Sequence, residues 1–313
     1  MLTEPYVFNI SEMQDFQRCR FRWWAKWVMD FVPAHEAQPL GFGKLIHRIF
    51  ESHHLGLSMA DSIAQHRGNW LSLMATTTDE VDIAVGTKVL KQLDDLTEAL
   101  LLWHDTYPVE YDLEVEVPFA LELGNDLVAR GRPDRVAVRH GMLWHVQHKA
   151  LASGTHFGVF TDLAKRSYHE HLYAEALMAK YKGSVKGYGG TQFDLIRKLK
   201  YRTKVTKAHP LGECKRYEEM FQQVPVAIDL DSPLHEHVMD SIKTHAREMR
   251  QARIRWNVHG EVPAPNENMN GGAYGNSPDE YFRVLTGEYE LGDPRYFKRR
   301  EDTYETPEGS DAE

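Results

Sequence analysis

The chain has 313 residues, 42% of them hydrophobic, and a formal net charge of −9; such a chain suits one substantial core, built as one large domain or as one with helical elaborations. No apolar run approaches the length that spans a bilayer, the N-terminus lacks a signal-peptide pattern, and the two distant cysteines, Cys19 and Cys214, exclude a disulfide framework. The expected location is the cytoplasm, with no membrane contact.

In chain order, Met13, Phe16, Trp23, Trp24, Trp27 and Phe31 recur at helical spacing and predict a helix over 12–31, with Ser11 and Gln14 as a capping box. Its three Trp read as core. Val81, Val85, Val89, Leu93, Leu96, Leu100 and Trp103 predict a long helix over 79–104, part of a helical insertion at about 55–108. Residues 112–119 alternate, so a strand there places Glu114 and Glu116 opposite Leu113, Val115 and Val117. Residues 134–139 and 142–147 flank His140-Gly141 and predict a hairpin. Helices are expected over 161–181 and 232–257, the second opened by Ser232-Pro233, with a strand from Met220 to Leu230 between them. Residues 258–296 read as mainly irregular.

Charge is unevenly spread. The last thirteen residues carry six acids and no base, which predicts a disordered acidic tail over 301–313 beyond a single domain at 1–300. In contrast, Arg197, Lys198, Lys200, Arg202, Lys204 and Lys207 fall within eleven residues that hold no acid. Such a strip can track phosphates; a solvated edge is the other reading.

The chemistry concentrates around the hairpin. Asp134 opens its first strand, while Gln147 and Lys149 near the end of the second point to one face and His148 to the other. Mg²⁺ takes about six oxygens, usually one or two carboxylates with waters and substrate phosphate. Asp134, Glu116 and the Gln147 oxygen meet that demand, and Lys149 can orient a water and offset charge on phosphorus oxygens. The pattern points to metal-assisted cleavage of a phosphodiester, with Glu114 the alternative to Glu116.

The series Ser11 to Cys19, Gly41-Phe42-Gly43-Lys44-Leu45-Ile46-His47, Gly131-Arg132-Pro133-Asp134, Gln147-His148-Lys149 and His169-Glu170-His171-Leu172-Tyr173 resembles the PD-(D/E)XK nuclease superfamily, in particular its RecB-like branch. The resemblance runs over roughly residues 8–290, although its specific motifs amount to fewer than twenty residues. It implies an α/β, restriction-endonuclease-like core with a mixed central sheet flanked by helices and an N-terminal helical elaboration. It also implies Mg²⁺ or Mn²⁺ held by His47, Glu116, Asp134 and Gln147, with Lys149 positioning the water. His169 and Tyr173 would help to place DNA, a duplex end or a single strand, alongside Arg197, Lys198, Lys200, Arg202 and Lys204.

The sequence departs from that pattern at three points. Gln147 stands where the branch has an acid, keeping an oxygen but losing a charge, as in the related Mrr-like Gln-x-Lys branch. His169 replaces the glutamine of the Gln-x-x-x-Tyr helix. Cys19 matches the first of four cluster cysteines, but residues 266–287 contain none, so no iron–sulfur cluster is expected; Tyr274, Tyr281 and Phe282 would instead pack the C-terminus against the first helix.

The implied activity is an exonuclease of recombination, repair or phage replication. The rival is a catalytically inactive nuclease-fold protein that binds DNA or a protein partner; an RNA-processing nuclease and a homo-oligomer also stay open. Seventeen histidines raise the idea of zinc, but neither a His-Glu-x-x-His helix nor a Cys-x-x-Cys pair occurs.

Overall fold

The computed structural model describes residues 4–35, 38–107, 112–116, 118–151, 158–197, 220–265 and 280–300. Lys198, Lys200, Arg202, Lys204, Lys207, Cys214, Tyr274 and the tail at 301–313 lie outside them. In chain order come β1 (Tyr6–Asn9), α1 (Ile10–Arg18), α2 (Arg20–Trp23), a π-helical turn (Trp24–Val28), β2 (Phe31–Pro33), α3 (Gln38–His54), α4 (Met59–Thr76) and α5 (Glu80–Thr106). Then follow β3 (Asp112–Val115), β4 (Phe119–Gly124), β5 (Leu127–Gly131), β6 (Arg135–Arg139), β7 (Met142–Leu151), α6 (Val159–Lys165) and α7 (Tyr168–Lys180). The series closes with β8 (Gly187–Arg197), β9 (Phe221–Val226), α8 (Pro233–His259), α9 (Glu280–Leu285) and β10 (Phe297–Arg299).

Local chemistry explains many of these boundaries. Ser58 caps α4 by accepting from the Asp61 amide at 3.0 Å, and Asp79 caps α5 by accepting from Val81 and Asp82 at 2.8 and 3.1 Å. At the start of α8 the Ser232 hydroxyl accepts from the His235 amide at 3.2 Å, as the Ser-Pro signal predicts. The β6–β7 turn uses two left-handed residues, His140 at φ 54° and Gly141 at φ 82°. Two such residues in succession match the twist of a tight hairpin.

By backbone contacts the chain divides into one compact unit of residues 1–10 with 36–244 and another of 11–35 with 245–313. The first contains a five-stranded sheet in the order β3-β6-β7-β8-β9, antiparallel except for the parallel pair β7–β8. A smaller sheet, β1-β5-β4, pairs β1 parallel to β5. Alternation along β8 sends Phe193 and Leu195 into a core with Leu177 and Ala174 of α7, and Ile196 into a second core with Phe50, Leu93 and Trp103 of the α3–α4–α5 layer. The central sheet is therefore mixed and covered by helices on both faces. Among the described residues no helix is long and apolar enough to cross a membrane.

In the second unit, Asp15 is buried and accepts from Arg22, Lys26 and Trp27 at 2.9, 2.7 and 2.9 Å. Burial alone would raise its pKa, but the two cations hold it below the ordinary value. Trp24 meets Trp256 edge-on at 4.9 Å, and the Tyr281 hydroxyl donates to the Phe31 carbonyl at 2.6 Å. Tyr281 thus packs near the first helices as expected; the Phe282 side chain lies outside what is described.

Three local expectations are corrected. The helix expected over 12–31 breaks at Cys19, and because α1 already begins at Ile10, Ser11 lies inside its first turn and does not head a capping box. The helix expected over 161–181 is two, interrupted at Arg166 and Ser167. Glu114 and Glu116 do not share a strand face: β3 ends at Val115, and Glu116 turns away in the left-handed region at φ 53°.

Candidate active site

The turn of Glu116 is the first step in building the site. Its amide donates to the Asp134 carbonyl at 3.0 Å, which ties the end of β3 to the start of β6 and sets the two acids side by side. Glu114 instead pairs with Lys180 at 2.7 Å, away from this point. Asp134 is fixed from a third direction by the His148 amide, which donates to its Oδ2 at 3.1 Å.

The approach to Asp134 is narrow. A Cβ on Gly131 would come within 2.6 Å of the Phe119 ring and 2.8 Å of Tyr173, so this position has no room for a side chain. Tyr173 is buried, meets Phe119 edge-on at 5.1 Å, and places its hydroxyl 3.3 Å from the Arg132 amide. That contact holds the backbone of the turn. Arg132 then reaches Glu116 Oε2 through Nε at 2.6 Å.

From α3, His47 enters between the two acids. Its Nε2 pairs with Glu116 Oε1, and its Nδ1 lies 3.6 Å from Asp134 Oδ2. Glu51, one helical turn on, joins the group: ligand atoms of His47, Glu51 and Glu116 all lie within 4.8 Å of one another. Glu51 is not among the residues expected from the sequence, although His47 and Glu51 stand four apart on a helix and so share a face.

On β7, Gln147 and Lys149 share one face and His148 takes the other, as alternation requires; His148 stacks on Phe50 at 4.2 Å. Gln147 is fully buried, and its Nε2 donates to Glu170 Oε1 at 2.7 Å and lies 2.9 Å from His169 Nδ1. Its Oε1 is buried without a hydrogen-bond partner among the described residues. Lys149 is half-buried, and its charge acts on both Asp134 and His169.

Electrostatics follow from this packing. Burial would lower His47, but Asp134 and Glu116 together raise it to about 10, so it sits between them as an imidazolium. Burial would raise Asp134, yet His47 and Lys149 hold it far below the usual carboxylate range. Glu170, likewise opposed by burial, is held well below its ordinary value by His145 and His169. Burial lowers His169.

The donors suit a hard divalent cation. The carboxylates of Glu51, Glu116 and Asp134 match the preference of Mg²⁺ or Mn²⁺ for oxygen, and the His47 imidazole lies among them. An amide oxygen buried without a partner is costly unless something else satisfies it, and Gln147 Oε1 is such an atom. Of the expected DNA-contacting residues, His169 and Tyr173 lie together, with ring centroids 4.0 Å apart, while Arg197 ends β8.

A mixed sheet flanked by helices, with acids on adjoining strand ends and a lysine on the neighbouring strand, defines a restriction-endonuclease-like fold. The model of the PD-(D/E)XK nuclease superfamily matches residues 7–263, and the chain belongs to that superfamily. Its members are in general metal-dependent nucleases acting on DNA. No curated protein matches the sequence.

Proposed function

We propose that this protein is a Mg²⁺- or Mn²⁺-dependent deoxyribonuclease of the RecB-like, Gln-x-Lys type, acting as an exonuclease in recombination, repair or phage replication. The observation that carries the reading is the meeting of His47, Glu116 and Asp134 at one point, within reach of the Lys149 charge. His47, Glu116, Asp134 and Gln147 would hold the metal, with Glu51 as a further oxygen donor. A bound divalent ion supplies Lewis-acid stabilisation of charge on phosphate oxygens and lowers the pKa of water.

The remaining work falls to the chain. Lys149, a donor without acceptor capacity, orients the attacking water and offsets negative charge that grows on the phosphate. Arg132, half-exposed and already on Glu116, steadies that acid and presents positive charge to the DNA backbone. His169, Arg197 and the basic strip that includes Lys198, Lys200, Arg202 and Lys204 extend the DNA contact. Tyr173 serves by holding the Arg132 turn.

On linear duplex DNA with Mn²⁺, Lys149→Ala is expected to lose about a hundredfold or more in rate. Activity equal to wild type would remove the assignment. A second reading, an inactive DNA-binding relative, is favoured by one observation: His47 pairs with Glu116 and lies near Asp134, so an imidazolium can itself offset the two acids. Calorimetry separates the two, since the inactive reading requires that Mn²⁺ does not bind.

A further inference from the structure

The Gln147 amide has nearly the same shape either way round, so its neighbours decide where its oxygen points. An ionised carboxylate only accepts hydrogen bonds. Glu170 Oε1 lies 2.7 Å from Gln147 Nε2, and Glu170 Oε2 accepts from the Thr191 hydroxyl at 2.6 Å. His169 Nδ1 lies 3.0 Å from Glu170 Oε1, and His145 Nδ1 lies 3.6 Å from Oε2.

Reversing the amide would set two acceptors face to face at hydrogen-bond distance in a buried place, where an unmet acceptor is expensive. Gln147, Thr191, His145 and Glu170 are all at most 3% exposed, so water does not relieve such a clash. The amide therefore keeps one orientation, with Oε1 turned from Glu170.

We propose that Glu170 is the positioning residue for Gln147: it fixes the amide with its oxygen turned from Glu170 and left for the metal, and so carries one layer behind the strand the negative charge missing at position 147. The inference deepens the proposed metal site and rests on Gln147 being an oxygen ligand there. Gln147 and Glu170 are then a transposed amide–carboxylate pair, and exchanging the two groups should preserve both the contact and the site.

The test uses four full-length proteins: wild type, Glu170→Gln, Gln147→Glu and the double exchange. Each is melted in EDTA and titrated with Mn²⁺ by calorimetry. Glu170→Gln can offer either an oxygen or an amide to Gln147, so the orientation is lost and Mn²⁺ should bind about tenfold more weakly. Gln147→Glu brings two carboxylates together and should melt lowest. The double exchange should melt above Gln147→Glu and bind Mn²⁺ at least as tightly as wild type.

A Glu170→Gln protein that binds Mn²⁺ like wild type, whatever its melting point, makes Glu170 a structural cross-link only and overturns the proposal. So does a double exchange that melts no higher than Gln147→Glu. Should wild type and Asp134→Asn both fail to bind Mn²⁺, the metal reading falls separately, while the melts in EDTA still decide whether the two residues form an exchangeable pair.

Discussion

The Glu116 amide donates to the Asp134 carbonyl at 3.0 Å from a backbone held at φ 53°. A residue other than glycine in that region costs on the order of 1–3 kcal/mol, and here the strain brings two acids within reach of one histidine. Comparing Glu116→Gly with Glu116→Ala isolates the backbone, because both remove the carboxylate and only glycine relieves the strain. The glycine variant is expected to be the more stable by about 1 kcal/mol in EDTA, with both inactive. Denaturant melts check this; an alanine variant as stable as glycine would show that the turn is unstrained.

His47 makes stability and metal binding depend on pH in a defined direction. Its pKa is raised from 6.5 to about 10, so the folded state binds its proton more tightly than the unfolded chain does. The contribution is complete below 6.5 and is lost as pH rises through about 10. In EDTA the stability gap between wild type and His47→Ala should therefore shrink across that window. Asp134, held low, gives the opposite limit, its contribution disappearing in strong acid. Because a ligating imidazole must be neutral, Mn²⁺ affinity should rise with pH and binding should release a proton. Proton release measured in buffers of different ionisation enthalpy decides the point; no release would remove His47 as a ligand.

Gly131→Ala is expected to destabilise the protein by about 1–3 kcal/mol, the usual cost of overpacking. The added methyl would meet the Phe119 and Tyr173 rings at 2.6 and 2.8 Å, and rigid rings cannot swing clear as a long chain would. Moving Tyr173 also frees the Arg132 backbone, so activity should fall beyond what lost stability explains. Trimming the ring with Phe119→Leu in the same chain should recover part of both losses. Absence of recovery would place the defect elsewhere.

The β6–β7 hairpin was legible because alternation, a His-Gly turn and strand length all agree locally, α5 because its apolar residues recur at helical spacing, and α8 because Ser232-Pro233 opens it. His47, Glu116 and Asp134 come together within reach of the Lys149 charge, but the way Glu116 gets there was not legible. Simple alternation places Glu114 and Glu116 on one face, whereas a left-handed residue held by the Asp134 carbonyl breaks the alternation. Glu51 had a usable signal in its spacing from His47. Glu170 had none, since its value comes from Gln147 and Thr191 on two other elements, and such pairings exist only after folding.

Asp194 offers a last expectation, drawn from the opposite face of the sheet. It is fully buried on β8, and burial raises its pKa to about 6 against the lowering effects of Arg135, Gln192 and Arg139. Arg135 comes only to 4.0 Å, and His148, 3.5 Å away, is itself driven toward neutrality by burial, so it does not offset the charge. A carboxyl whose folded pKa is raised binds its proton more tightly when folded; stability is therefore gained as pH falls from about 6 toward 3.8, and the charge is a burden above that range. Asp194→Asn keeps the shape and the Oδ1 that accepts from Gln192 at 2.8 Å while removing the charge. It should stabilise the protein at alkaline pH by on the order of 1–3 kcal/mol, with the advantage vanishing once wild-type Asp194 is protonated. Melting curves at alkaline and acid pH are decisive: a destabilised variant at alkaline pH would mean that the two arginines compensate the buried charge in full.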